Sequence, residues 1–143
     1  MVIKELMRRL DQKEQRIIEI RRYLHAHPEL SFEEEETAAY IEDFYQEVPV
    51  DSVETNVGGH RGIVATVQGG KPGKTIAIRA DFDALPISEE TDLPFASKNK
   101  GVMHACGHDG HTAYMLVLAE TLAELKKDLS GAIKIIHQPA EEM

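Results

Sequence analysis

The residues best equipped for chemistry lie in two short stretches. One is Met103-His104-Ala105-Cys106-Gly107-His108-Asp109-Gly110-His111-Thr112; the other is Gln138-Pro139-Ala140-Glu141-Glu142. The first offers the only cysteine of the chain and an imidazole two residues later, and the second offers paired carboxylates. Thiolate, imidazole and carboxylate together suit a divalent transition metal. A structural zinc site would take four protein ligands, commonly in two Cys/His modules, and the chain lacks a second module. Three ligands with one position left to water describe a catalytic ion, which lowers the pKa of that water to about 7 and polarises a carbonyl. The reaction also needs a base that takes the water's proton and returns it to the leaving group, a task open to a glutamate beside a ligating glutamate.

Geometry must bring these groups together. In extended backbone, residues two apart point the same way, so Cys106 and His108 are expected to meet one ion, with His104 and His111 close enough to compete. Adjacent residues at a strand end point apart, so Glu141 and Glu142 can divide ligation and base catalysis. Singly, a lone cysteine is most often a small buried hydrophobe and a Glu-Glu pair a solvated surface. Their joint occurrence around one helix-strand unit carries the metal reading.

The elements that position them follow from periodicity. Ile17, Ile20 and Leu24 mark an amphipathic helix over about 11–25, ended by Pro28. Ser31 and Glu34 form a capping-box pattern for a second helix reaching about Gln46. The acids Glu33 to Glu36 are expected to be solvated at its positive end. Residues 51–55 and 62–68 read as strands. Gly69-Gly70-Lys71-Pro72-Gly73-Lys74 is dense turn chemistry, so 62–68 and 75–79 are expected to pair as an antiparallel hairpin. It lacks the GxxxxGK[ST] spacing of a phosphate loop and leads into a strand. A long loop spans about 80–107, a length usually reserved for function. Met115, Leu118, Leu122 and Leu125 share a face of a helix from about Gly110, with Lys126 and Lys127 at its end and Ser130-Gly131 as its stop. Residues 132–137 form a strand that delivers Gln138 to Glu142. The order implies an α/β fold, a mixed sheet flanked by helices, with sites at the carboxyl ends of strands: Asp81 and Asp83 after one, Glu141 and Glu142 after another.

Composition sets the limits. With 143 residues, 42% of them hydrophobic, the chain is one globular unit. Its 16 basic and 25 acidic residues leave a net charge of −9 without a basic stripe, which argues against nucleic acid. The first residues lack an apolar signal segment and no window is long enough to span a bilayer, so a cytoplasmic protein without membrane contact is expected. One cysteine forms no internal disulfide, in keeping with a reducing compartment.

Three motifs carry a family resemblance. Arg79-Ala80-Asp81-Phe82-Asp83-Ala84-Leu85-Pro86, the stretch Met103 to Thr112, and Gln138 to Glu142 resemble the aminoacylase/carboxypeptidase family of dinuclear metallohydrolases. Within it they are most similar to the amidohydrolase branch of hippurate hydrolases, N-acetyl-diaminopimelate deacetylases and auxin-conjugate hydrolases. Leu24 to Glu34 resembles that branch's amino-terminal motif. The resemblance implies the amino-terminal part of a zinc-peptidase-like catalytic domain over residues 1–143. It implies Cys106, His108 and Glu142 as metal ligands, Glu141 as general base and Asp83 as the acid that supports the site. Asp81 stands where related branches place a histidine ligand; His25, His27, His104 and His111 belong to the motifs without an assigned role, and a structural or supporting place is expected for them rather than ligation. His137 stands where an aromatic residue is commoner. The resemblance further implies two divalent ions per complete site (manganese, zinc, cobalt or nickel) and a small N-acyl amino acid or peptide-like substrate. Family members are longer: two more histidine ligands and an inserted dimerisation domain lie beyond the Glu-Glu motif.

The expectation is therefore a metal-dependent amidohydrolase that is inactive as these 143 residues alone. The alternative is a truncated, non-catalytic metal-binding fragment that self-associates through an open sheet edge or needs a partner chain. A cysteine hydrolase with Cys106 as nucleophile is a third reading, and it leaves the Glu-Glu motif unused.

Overall fold

A computed structural model describes residues 1–143. Two helices open the chain, α1 (Val2–Gln12) and α2 (Glu14–Ala26), broken at Lys13. The expected single helix over 11–25 is thus the second of a pair. Helix α1 buries no residue fully and is tied to the next layer by ions: Lys13 Nζ reaches Glu120 at 2.9 Å and Glu124 at 2.7 Å. Helix α3 (Glu35–Gln46) follows, without a side-chain cap from Ser31. The capping role falls to Glu29, whose carboxylate accepts the Glu36 N–H at 3.0 Å and the Thr37 N–H at 2.6 Å. Glu29 satisfies the same orphan amides from farther back in the chain.

Strands β1 (Ser52–Val57), β2 (Gly62–Gln68), β3 (Lys71–Asp81) and β4 (Ser130–Gln138) form one mixed sheet in the order β1-β2-β4-β3. The expected β2–β3 hairpin does not form. Strand β4 lies between its two would-be arms, antiparallel to β2 and parallel to β3. Ile133, Ile135 and Ile136 make β4 apolar on both faces, as a central strand requires. The glycines serve a crossing instead of a turn: Gly69 N–H bonds Gly131 O at 2.7 Å and Gly70 N–H bonds Lys126 O at 2.8 Å. A Cβ at Gly69 would lie 2.6 Å from the carbonyl oxygens of Leu129 and Gly131, so only glycine lets the backbones pass this close.

Helix α4 (His108–Glu124) packs against α2, and a 3₁₀ turn at Lys126–Asp128 leads into β4. Ser130 and Gly131 are therefore strand residues, not a helix stop, and the two lysines belong to the 3₁₀ turn. Leu24, Ile41, Ile63, Val67, Leu116 and Ile135 form the centre of a continuous core shared by three helices and the sheet. No helix is long and apolar enough to cross a membrane.

Because β3 and β4 are parallel, with Asp81 opposite Gln138, both strands release their following loops at the same end of the sheet. The long loop 82–107 returns across that end. It is pinned by isolated bridges between Leu30 and Ala84 and between Leu85 and Met103.

Candidate metal centre

Cys106 and His108 are not on extended backbone. Gly107 takes φ 88°, a left-handed conformation open to glycine at little cost, and His108 is already the first residue of α4. This reversal, not strand alternation, turns the exposed Cys106 and the buried His108 toward a common space. There the Cys106 Sγ, a ring nitrogen of His108 and a carboxylate oxygen of Glu142 all lie within 4.8 Å of one another.

The orientation of His108 is fixed from behind. Its Nδ1 faces two acceptors, Asp83 O at 2.9 Å and Asp83 Oδ1 at 3.0 Å, so Nδ1 carries the proton. Nε2 is left with its lone pair directed at the open side, as in a metal-ligating histidine. Around it stand Asp81 Oδ1 at 3.6 Å, Glu142 Oε1 at 3.7 Å and Glu141 Oε2 at 3.8 Å. Glu141 and Glu142 thus converge on one nitrogen where strand-end alternation would have sent them apart.

Asp83 is the hub. Its Oδ2 accepts the Ser31 hydroxyl at 2.8 Å and the Glu142 N–H at 3.0 Å while Oδ1 holds His108. Burial pushes its pKa up, yet the bonds from the Glu142 N–H, Ser31 and the Glu141 N–H outweigh this and hold the carboxyl below its ordinary value. It stays ionised and keeps the imidazole in place.

The charge balance fits a cation. Its contact with Glu142, partial burial and the nearby carboxylates of Asp81 and Glu141 push the Cys106 thiol up to about 11. A dication among these donors would relieve that repulsion and draw out the thiolate. The thiolate, imidazole and carboxylate set is one that zinc, manganese, cobalt or nickel accepts. A second set, Asp81, His108 and His111, meets the same distance limit. His108 has only Nε2 to give, so with these residues alone the two sets are alternative seats for one ion. In the second set, His111 Nδ1 already bonds Asp81 at 2.7 Å, and Asp81 also faces Arg79 at 3.3 Å.

Other motif histidines do different work. His104 is buried, and burial holds its pKa down at about 4, so it is neutral at pH 7. His27 bonds Tyr23 O at 2.7 Å and stacks on the Tyr23 ring. His25 lies between two carboxylates, Asp109 at 2.8 Å and Glu89 at 2.9 Å, and so ties α2 to the long loop and to the residue after His108. Glu34, expected to be solvated with its neighbours, is wholly buried. His25 thus takes the structural place expected of it, whereas sequence reasoning read Ser31 as a helix cap and Glu34 as solvated, because nothing local separates one glutamate of Glu33 to Glu36 from the rest. The largest surface hollow, about 480 Å³, lies beside residues 26–36 and Lys98, and no member of the cluster lines it. Its acidic rim offers no converging donor set, so the chemistry points to the cluster.

The chain is similar to known proteins in sequence and fold. Residues 77–143 match the profile of peptidase family M20/M25/M40. The N-acyl-L-amino acid amidohydrolase of Geobacillus stearothermophilus is 46% identical over 143 residues, all of this chain and 38% of that protein. A solved structure from methicillin-resistant Staphylococcus aureus superposes with a TM-score of 0.93 at 67% identity, covering 98% of this chain and 37% of that one. The Bacillus subtilis YXEP protein, a dinuclear metal-binding peptidase, superposes at 0.86 with 46% identity, over 92% of this chain and 37% of its own. The chain spans less than two-fifths of the length of these relatives, matching their amino-terminal portion.

Proposed function

We propose that this chain, whose residues 77–143 match the profile of peptidase family M20/M25/M40, forms the amino-terminal, metal-holding part of an amidohydrolase acting on an N-acyl amino acid or a related small molecule. The observation that carries this reading is the convergence of Cys106, His108 and Glu142 within 4.8 Å, with the Glu141 carboxylate 3.8 Å from His108 Nε2. The substrate class is supported by the amidohydrolase of Geobacillus stearothermophilus, and the two-ion complement by the dinuclear Bacillus subtilis protein.

Cys106, His108 and Glu142 would hold a divalent ion. When bound, such an ion supplies Lewis acidity, polarising the amide carbonyl and making water acidic enough to lose a proton near neutral pH. Glu141 accepts that proton on its carboxylate as the water oxygen bonds to the amide carbonyl carbon, and as the C–N bond breaks it gives the proton to the departing amine nitrogen, leaving the acyl group as a carboxylate. Asp83 holds the His108 Nδ1 proton throughout and so keeps Nε2 aimed. The remaining ligands of a two-ion site come from outside these residues.

In a preparation that hydrolyses an N-acetyl amino acid, Glu141→Ala retains bound metal and loses turnover by about 10²- to 10⁴-fold. Unchanged turnover would remove Glu141 as the base. A second reading, in which residues 1–143 bind an ion but need a partner segment for catalysis, is favoured by the share of the relatives they cover. Metal stoichiometry and turnover of the 143 residues alone test this second reading: one ion without hydrolysis supports it, and two ions with hydrolysis would exclude it.

A further inference from the structure

Burying a carboxylate is costly unless its partners repay the lost hydration. Glu34 is 0% exposed, burial pushes its pKa up, and its Oε2 has no partner. The start of α3 does not require it, because Glu29 already caps that end through Glu36 and Thr37. Its one strong contact is distant in sequence: Oε1 accepts the Ala140 N–H at 2.7 Å. Ala140 takes φ 49°, a left-handed conformation that an alanine keeps only where its surroundings impose it. Two residues on, the Glu142 N–H bonds Asp83, and Asp83 is bonded by Ser31 of the same α2–α3 loop. Arg61, in the turn between β1 and β2, braces that loop and the start of α3, donating to Phe32 O at 2.7 Å and to Glu35 at 2.5 Å.

We infer that Glu34 is a positioning residue: it holds Ala140 in its left-handed turn and thereby sets where the Glu141 and Glu142 carboxylates stand relative to His108. The α2–α3 loop is then a template for the Glu-Glu loop, with Glu34 acting directly and Ser31 through Asp83. The amino-terminal motif acquires a task although none of its residues belongs to the Cys106, His108 and Glu142 cluster. The consequence for metal binding rests on the Glu142 assignment proposed above; the consequence for loop conformation does not.

Residue-resolved amide exchange on the 143-residue chain tests the inference without metal. Glu34→Gln keeps an acceptor oxygen at the same reach, so Ala140 and Glu142 retain their protection. Glu34→Ala removes the acceptor, and protection of both amides falls about tenfold or more while β2 and β4 amides hold, as expected for a lost charge-assisted bond. Protection at Ala140 unchanged in a folded Glu34→Ala protein, or lost equally across the sheet, would overturn the inference. Should the alanine variant fail to fold, Glu34→Asp serves: one methylene shorter, it loses the Ala140 bond, and equal protection in the Asp and Gln variants counts against the inference. Co²⁺ titration, read by the thiolate-to-cobalt absorption, follows as a separate arm. Affinity falls about tenfold in the alanine or aspartate variant and is kept in the glutamine variant. Equal Co²⁺ affinity in all of them refutes the link to the ligands. Absence of that absorption in the unmodified chain counts against the metal assignment, and the exchange result still decides the role of Glu34.

Discussion

Strand β4 is held in opposite ways at its two ends. At its start, backbone packs on backbone: a Cβ at Gly131 would fall 1.9 Å from Lys74 O, and Gly69, Gly70 and Gly73 each approach neighbouring main chain as closely as a missing side chain allows. At its finish, side chains do the holding. Glu34, Asp83 and Ser31, from two other segments, fix Ala140 and Glu142 by directed bonds. The first end tolerates no new atoms; the second depends on particular functional groups. Stability and site placement are thereby separated along one strand, and each can be broken without the other.

The largest effect is expected at the glycine end. Gly131 has φ 77°, so alanine there adds left-handed strain to a backbone clash. Together these terms cost about 3–5 kcal/mol. Chemical denaturation of Gly131→Ala measures the loss, and a cost under about 1 kcal/mol would show that the crossing can relax.

At the other end, Asp83→Asn keeps the volume of the hub but removes its charge and one acceptor. His108, Ser31 and Glu142 then compete for a single oxygen. Zn²⁺ affinity is expected to fall about 10- to 100-fold, the usual loss when the group orienting a metal histidine is removed. Folding stability should fall by less than in Gly131→Ala. Calorimetric titration with Zn²⁺ beside denaturation of the same variant tests the contrast. Unfolding as severe as that of the glycine variant, or undiminished affinity, would break it.

Local sequence made some of this legible and hid the rest for physical reasons. The limits of β2, the end of α3, the long loop and the strand carrying Gln138 follow from periodicity and turn chemistry, which are local properties. The insertion of β4 between β2 and β3 is decided by a ladder between residues some sixty positions apart (Gln68 opposite Ala132), and the glycines that permit it read equally well as a hairpin. The cluster's members were readable from residue type, since thiol, imidazole and paired acids are uncommon together. Their support was not: Glu34 is buried by a contact 106 residues away and His25 is clasped by acids 64 and 84 residues away. Gly107 shows the same limit in miniature, because an i, i+2 spacing states that two side chains are near and not by which turn.

The smallest effect marks the boundary between the two ends. His137 lies one residue before the strand's last, yet it belongs to the core: it is 0% exposed, and its Nε2 is paired with the Tyr45 hydroxyl at 2.7 Å. Burial alone holds its pKa down at about 3, far below the ordinary 6.5. A histidine with a depressed folded pKa contributes its full stability above the unfolded pKa, and loses it as the unfolded chain takes up a proton below about 6.5. Tyr45→Phe with His137→Leu removes both polar partners and keeps the volume roughly constant, so stability at pH 7 should change by less than about 1.5 kcal/mol. Between pH 7 and pH 5 the unmodified protein should lose about 2 kcal/mol more than the double variant. His104, with the same sign of shift, remains in both and cancels, whereas carboxylates held below their ordinary range, Asp83 among them, act mainly at lower pH. Equal pH dependence in the two proteins would mean that His137 titrates as if in water. The polar end of β4 would then begin before Gln138, and the division between a core-held strand and a side-chain-held loop would fall inside the sheet.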